Sequence, residues 1–219
     1  MTRMTYNYLC FRSSEDACTA SVSSGQRARR AEILRKMLHL VTLCLPFGIL
    51  YLPGDIAAMV FVSVAALMVG GEILRQKWPF LQWLLYKLFG SFMRASERHQ
   101  FTGATYYCVS AVICLFLFDV HIAFTVTAFM IVGDAAAALV GLHFGKIRIA
   151  SGKSIEGMLA CIAACMIFWL LFPVTGLATS LAAAFLTGVL EILPLKINDN
   201  LFVPVTCGTI LQTWLWLGW

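Results

Sequence analysis

The stretch "HIAFTVTAFMIVGDAAAALVG", residues 121–141, decides what kind of fold this chain can adopt. It holds no Lys or Arg and one acid, Asp134, and it is long enough to cross a hydrocarbon core as a helix. Apolar and polar residues do not alternate along it, which excludes a barrel strand. Across the chain, 60% of the 219 residues are hydrophobic and 12% are charged. This composition excludes a soluble globular domain.

The same apolar pattern recurs along the chain and predicts an all-α, polytopic membrane bundle of about seven transmembrane helices. At ~1.5 Å per residue, apolar spans of roughly 17–22 residues suit a bilayer. The predicted spans are residues 36–52, 56–74, 102–118, 121–141, 156–173, 177–194 and 200–218. Residues 78–94 mix aromatic residues and leucines with Lys87 and Arg94, which predicts a helix lying in the membrane interface.

A polar segment, residues 1–30, precedes these spans and is rich in Ser, Thr and Arg. We expect a disordered cytoplasmic tail there, followed by one transmembrane catalytic domain over residues 31–219. An organellar transit peptide is the alternative for the tail, and Glu15 and Asp16 argue against it. Six of the eight cysteines lie inside spans with no CxxC pair, so we expect small buried side chains rather than metal ligands or disulfides.

The positions of the cations predict the orientation in the membrane. With a cytoplasmic N-terminus and seven spans, all 16 Lys and Arg residues fall on the cytoplasmic side. The opposite side keeps only short connections, with Asp55 and Asp119 as its acids. The net charge of +5 therefore suits anionic lipid head groups, and no nucleic-acid partner is expected.

The loop between the fourth and fifth spans, "HFGKIRIASGKSIEG" at residues 143–157, ends like a phosphate-binding P-loop. A P-loop requires a glycine where Ile147 stands, so the spacing excludes that motif. Lys153 and the N–H groups around Gly152 still suit phosphate oxygens, at the start of a helix whose dipole favours anions. Ser154 is the predicted N-cap of that helix, and Glu156 is either a capping acid or a functional carboxylate.

Ionisable residues inside membrane spans cost free energy, so each is a candidate for function. They are His39, Asp134 and Glu191, with Asp199 in a polar turn before the last span. The alternatives are a satisfied core histidine for His39, a paired packing carboxylate for Asp134 and a plain polar turn around Glu191. Gly133 and the alanines beside Asp134 let a neighbouring helix or a ligand approach closely.

These polar groups are expected at one depth on the cytoplasmic side. Carboxylates that bind a divalent cation and lysines that hold phosphate are the parts of a phosphoryl or nucleotidyl transfer site. A substrate that reaches such a site through apolar walls would be a lipid. A transporter with a midmembrane Asp134 remains the non-enzymatic alternative.

Five blocks carry a resemblance to a known family: "RKMLHL" (35–40), "ERHQFTGATYY" (97–107), "GDAAAALVGLHFGK" (133–146), "SGKSIEG" (151–157) and "EILPLKINDNLFVP" (191–204). In this order they resemble the CTP-dependent lipid kinases, which include dolichol kinase, phytol kinase and the CTP-dependent diacylglycerol kinase. The resemblance implies transfer of the CTP γ-phosphate to the hydroxyl of a membrane alcohol. Part of phosphatidate cytidylyltransferase is also similar, but that enzyme's later signature has no counterpart here.

The resemblance also implies which residues form the site. A carboxylate, Asp134 or Glu156, or else His39, would take the proton of the alcohol, and Arg35 would steady charge on the transferred group. Mg²⁺ would be held by Asp134 with Glu191 or Asp199. The residues implied for CTP are Lys146, Ser151, Gly152, Lys153, Ser154 and Asn200.

The acceptor stays open among diacylglycerol, phytol and a polyprenol, as does the oligomeric state. The chain is short beside the eukaryotic dolichol kinases, which favours a multi-pass enzyme of a bacterial inner membrane, with an organellar membrane as the alternative.

Overall fold

The structure is a computed structural model, and it describes residues 31–89, 100–149, 152–194 and 197–217. Its described residues are mostly helical, with an isolated antiparallel bridge between Arg148 and Ser154. The helices are α1 (31–41), α2 (Cys44–Tyr51), α3 (Gly54–Lys77), α4 (Pro79–Phe89), α5 (Gly103–Leu117), α6 (Val120–Phe144), α7 (Ile155–Leu171), α8 (Leu177–Ile192) and α9 (Asp199–Trp216).

This arrangement confirms the predicted all-α bundle, and each predicted apolar span contains a helix. Three helical stretches within the described ranges are long and apolar enough to cross a membrane: Ala31–Tyr51, α3 and α6. Helices α5, α7 and α8 are apolar but shorter, and the 15 residues of α5 span roughly 22 Å. The count of seven crossings and the cytoplasmic N-terminus stay predictions. The predicted tail, residues 1–30, lies outside the described residues.

Helix α6 is the centre of the bundle, with α2, α5, α7, α8 and α9 all packed against it. Its middle is buried, as expected for a helix that is apolar on every face. The small residues predicted to permit close approach do so. A Cβ added at Gly157 of α7 would lie 2.9 Å from the carbonyl oxygen of Ala137, and one added at Gly133 would lie 2.5 Å from Cys161 Sγ. Helix α7 and the loop before it are therefore held against the helix that carries Asp134.

The first predicted span, residues 36–52, is broken in the structure. Pro46 lacks an N–H, and its ring clashes with a helical carbonyl at Thr42. The N–H groups of Thr42 and Leu43 instead donate to carbonyls three residues earlier, both at 3.0 Å. Helix α1 is thereby separated from α2, and it brings Lys36 and His39 to the end of the bundle where α6 finishes.

The cysteines within the described ranges are all free. Cys44 is exposed, and Cys108, Cys114, Cys161, Cys165 and Cys207 are buried. This supports the prediction of small buried side chains. Cys10 and Cys18 lie outside the described residues.

Candidate active site

A cavity of about 850 Å³ lies at the end of the bundle where α6 and α8 finish and where α5, α7 and α9 begin. Helix α1 and the loop before α7 complete its walls. Its volume falls within the usual range for small-molecule sites. The structure thus brings together polar residues that are far apart in sequence. The acidic, basic and histidine side chains in its lining are Glu32, Arg35, Lys36, His39, Asp134, Arg148, Lys153, Glu191 and Asp199.

Asp134 forms a buried ion pair with Lys36 of α1. Lys36 Nζ lies 2.5 Å from Asp134 Oδ1 and also contacts Oδ2, and the two side chains are 12% and 11% exposed. A charge buried this deeply requires such a partner. Lys36 lies in the block "RKMLHL" that carries the resemblance, but no role was predicted for it, and no local pattern signals a pair separated by 98 residues.

Lys153 is the second cation of the cavity and joins the loop to two helices. Its Nζ donates to Glu191 Oε1 at 2.8 Å, to the Glu191 carbonyl at 2.5 Å and to Asp199 Oδ2 at 2.7 Å. Burial lowers the pKa of Lys153, but Glu191 and Asp199 outweigh burial and raise the pKa above its usual value. Lys153 is therefore charged, and it pairs with two of the carboxylates predicted to bind metal, whose combined negative charge it offsets in part.

Two buried polar atoms in the cavity wall have no hydrogen-bond partner within the described part of the chain: His39 Nε2 and Glu191 Oε2. Leaving such atoms unsatisfied costs free energy. The ring of His39 is packed edge-on against Tyr107, with centroids 5.5 Å apart. His39 is thus not fully satisfied by the described residues, and because both residues line the cavity, the two atoms are candidate contacts for a ligand.

The donor set fits a magnesium ion only in part. No group of three or more His, Cys, Asp or Glu side chains in the described ranges is placed to hold a metal by itself. Asp134, Glu191 and Asp199 line one cavity, with lysines paired to them. Magnesium usually takes one or two protein carboxylates and completes its shell with water and substrate phosphates. Glu191 Oε2, buried and unpartnered, is the oxygen best suited to this role.

In the loop before α7, backbone hydrogen bonds close a turn between Ile149 and Lys153. The Ile149 N–H donates to the Lys153 carbonyl and the Gly152 N–H donates to the Ile149 carbonyl, both at 2.8 Å. Gly152 has a φ of +79°, in the left-handed region that favours glycine. The Gly152 N–H is therefore committed to the turn. Ser151 lies outside the described residues.

Ser154 is buried and caps α7, because its Oγ accepts from the Gly157 N–H at 3.1 Å. This confirms the predicted N-cap. Lys146 is exposed, and neither Lys146 nor Glu156 belongs to the cavity lining. The Glu156 carboxylate accepts from the Ile147 N–H at 3.1 and 3.3 Å, so it holds the loop from outside the cavity.

The remaining predicted residues, Arg35 and Asn200, do line the cavity. Arg35 is paired with Glu32 one turn earlier in α1. Asn200 Nδ2 donates to the Gly103 carbonyl at 2.9 Å, which ties the start of α9 to the start of α5. Arg148 of the loop, which was not predicted, also reaches the cavity.

Sequence reasoning also missed a buried ion pair beside the cavity, Glu72 with Arg75. The second span was predicted to end at residue 74, with Arg75 in the loop that follows, whereas α3 continues to Lys77 and buries both side chains. An acid and a base three residues apart on an apolar helix are the signal that could have found it.

Fold and cavity together define a multi-pass, all-helical membrane protein with an ion-paired pocket at one end of its bundle. Comparison with known proteins identifies the proteins that this chain is similar to. The CTP-dependent diacylglycerol kinase 1 of Schizosaccharomyces pombe is 28% identical over 213 residues, 85% of this chain and 95% of that protein. The Saccharomyces cerevisiae protein of the same name is 25% identical over 104 residues, 45% of this chain and 36% of that protein.

An uncharacterized protein of Methanocaldococcus jannaschii is 31% identical over 119 residues, 53% of this chain and 61% of that protein. No protein-family model matches the chain, and no solved structure matches it at a significant level. The kinase similarities confirm the resemblance to the CTP-dependent lipid kinases that the sequence blocks predict.

Proposed function

We propose that this chain is a membrane lipid kinase that transfers the γ-phosphate of CTP to the hydroxyl of a lipid alcohol. The observation that carries the proposal is the cavity in which Lys36, Asp134, Lys153 and Glu191 converge at one end of an apolar bundle. Diacylglycerol is the acceptor we test first, because the similarity to a fungal CTP-dependent diacylglycerol kinase extends over 85% of the chain. Phytol and polyprenols are the other acceptors.

In the proposed site, the positively charged side chains bind the negatively charged phosphates. Lys36 and Lys153 lie beside carboxylates that neutralise them in the structure, and Arg35 and Arg148 add positive charge to the same cavity. Fixed cations in a site shielded from water stabilise charge on a transferred phosphoryl group.

The carboxylates have two proposed roles. Glu191, with Asp134 or Asp199, would hold Mg²⁺, which neutralises phosphate charge when it is bound. His39 is the base we favour for the acceptor hydroxyl, because its Nε2 lies in the cavity wall with no partner among the described residues. Glu156 is less suited to that role, because its carboxylate lies outside the cavity lining.

The proposal also places the reaction on the cytoplasmic side of the membrane. It rests on the one-sided distribution of Lys and Arg, since cations resist translocation. Water-soluble CTP would then enter from the cytoplasm, and the alcohol would enter from the bilayer. Residence in a bacterial inner membrane stays a prediction.

The test uses membranes that contain the full chain, Mg²⁺, and CTP labelled at either the γ- or the α-phosphate. Diacylglycerol, phytol, a polyprenol and, as the acceptor of a cytidylyltransferase, phosphatidate are supplied separately, and lipid products are identified by mass spectrometry. We expect label from the γ-phosphate in a lipid monophosphate, with CDP as the second product. Label from the α-phosphate in the lipid, with pyrophosphate released, would instead identify a cytidylyltransferase. Absence of lipid labelling from either position would contradict an enzymatic role.

A further inference from the structure

The buried Glu72–Arg75 pair joins α3 to the first turn of α5. Arg75 Nε and Nη2 both donate to Glu72 Oε2, at 2.8 and 2.5 Å, so two donors converge on one carboxylate oxygen. Arg75 Nη2 also donates to the Gln100 carbonyl at 2.9 Å. Glu72 Oε1 accepts from the Thr102 N–H at 3.2 Å and faces Thr105 Oγ1 at 3.4 Å. Both carboxylate oxygens are therefore used: Oε1 bonds directly to the start of α5, and Oε2 holds Arg75, which bonds to the Gln100 carbonyl.

That segment forms part of the cavity wall, whereas the ion pair itself does not. Gln100, Thr102, Gly103 and Ala104 line the cavity, and Glu72 and Arg75 are absent from its lining. The Gly103 carbonyl in turn accepts from Asn200 Nδ2. A continuous set of hydrogen bonds therefore leads from α3, through the start of α5, to the residue at the start of α9 that is predicted to bind nucleotide.

The start of α5 is held in place by Glu72, whose Oε1 accepts from the Thr102 N–H. Thr102 is the N-cap residue of α5, and its side chain makes no capping hydrogen bond. The first turn of a helix carries partial positive charge on its N–H groups. Because Asn200 and this turn are bonded to each other, a shift of the turn moves both.

We propose that Glu72 and Arg75 are positioning residues for the nucleotide side of the cavity, acting through the first turn of α5 and Asn200. The proposal rests on the kinase function proposed above. It assigns a task to a buried ion pair that the transfer chemistry itself does not require.

The opposite end of the bundle offers a matched control. There, Gln212 Oε1 of α9 accepts from the Asp119 N–H at 2.7 Å, and Asp119 is the N-cap residue of α6. In both places a buried side-chain oxygen on one helix accepts from the N–H that begins another. Only the bond from Glu72 lies beside the cavity, so Gln212→Leu removes a similar interhelical bond far from the proposed site.

The experiment measures kcat and the KM for CTP and for diacylglycerol with the full chain in membranes. We expect Glu72→Gln and Arg75→Lys each to raise the KM for CTP on the order of tenfold, with the KM for diacylglycerol within about twofold of wild type. Arg75→Lys retains the charge but lacks the planar fork that reaches both Glu72 and Gln100, so it tests the geometry if Glu72→Gln accumulates poorly. Glu72→Asp, which keeps the charge, should recover part of the lost affinity. Gln212→Leu should lower the melting temperature and leave both KM values unchanged.

A purely structural role would appear as variants of Glu72 and Arg75 that lose stability as Gln212→Leu does and keep the wild-type KM for CTP. Equal increases in the two KM values would also overturn the assignment to the nucleotide side. Failure of the wild-type chain to transfer phosphate from CTP to any alcohol would instead contradict the proposed function, and the positioning role with it.

Discussion

Two buried clusters of charge lie within one end of the same bundle, and they differ in how completely their atoms are paired. Around Glu72 and Arg75, both carboxylate oxygens accept hydrogen bonds from the protein. In the cavity, Asp134 is paired too, but Glu191 Oε2 and His39 Nε2 are buried with no partner among the described residues. A cluster whose polar atoms are all hydrogen-bonded fixes structure, whereas buried polar atoms without a partner in a cavity wall are available to bind a ligand.

The largest effect is expected from Asp134→Asn. Asparagine keeps the size of the side chain but removes the charge that pairs with Lys36 and that the proposed site uses. We expect the transfer rate to fall on the order of 1,000-fold. The measurement is the initial rate with γ-labelled CTP in membranes, at matched amounts of protein.

Loss of folding must be separated from loss of chemistry in this variant. Asp134→Asn removes the anion in direct contact with Lys36 and leaves Glu32 Oε1, 4.0 Å away, as a weaker partner. Removing one partner of a buried pair typically costs about 3–5 kcal/mol of stability. The double variant Lys36→Met with Asp134→Leu removes both charges, so we expect its melting temperature to return toward wild type while transfer stays lost. Near wild-type transfer by either variant would contradict the role of Asp134.

The next largest effect is expected from Lys153→Met. This change removes the cation between Glu191 and Asp199, which leaves two carboxylates facing each other and a phosphate without a partner. We expect a loss of transfer of about 100-fold, measured in the same assay. Lys146→Met is the matched control, because Lys146 precedes the same turn but is exposed and outside the cavity lining. Equal losses in the two variants would mean that charge in the loop, rather than the position of Lys153, matters.

Glu191→Gln compares the two clusters directly. If Glu191 Oε2 binds Mg²⁺, its replacement should raise the Mg²⁺ concentration for half-maximal activity by about 10-fold or more. Glu72→Gln, made in the satisfied cluster, should leave that concentration unchanged at saturating CTP. The measurement is a Mg²⁺ titration of the transfer rate for both variants. Identical titrations of wild type and Glu191→Gln would remove Glu191 from the metal site.

The smallest effect is expected from Glu156→Gln. The carboxylate of Glu156 bonds to the Ile147 N–H and does not reach the cavity, and a glutamine oxygen can accept the same bond. We expect transfer to fall less than about threefold, since the surface bond is worth little. A loss as large as that of Asp134→Asn would return Glu156 to consideration as the base.

The membrane fold could be predicted because a helix in a bilayer is apolar on every side. Such a helix appears in the sequence as an unbroken run of apolar residues. The break before α2 was missed, although Pro46 was visible in the sequence. A proline three residues into a helix is compatible with its first turn, so only the structure shows that the chain starts a new helix there. The presence of an apolar helical span was therefore easier to predict than the break within it.

The sequence predicted which residues form the site better than it predicted the contacts between them. Asp134, Lys153 and Glu191 lie in one cavity as expected. Each is an ionisable residue predicted near the same membrane face, where burying a charge costs free energy. Glu156 lies outside because helical neighbours point about 100° apart, and the next residue, Gly157, is the one that packs against α6. Which carboxylate meets which lysine depends on helix packing, which no local spacing encodes.

The ion pair between Lys36 and Asp134 also bears on the order in which the protein is made. Chains emerge from the ribosome with their N-terminus first, and Lys36 precedes Asp134 by 98 residues. The helix with the buried carboxylate is therefore synthesised after the residue that carries its counter-charge. A version of the chain that lacks α1 would have to insert Asp134 alone, and we expect that truncation to reduce insertion of α6 as well as activity.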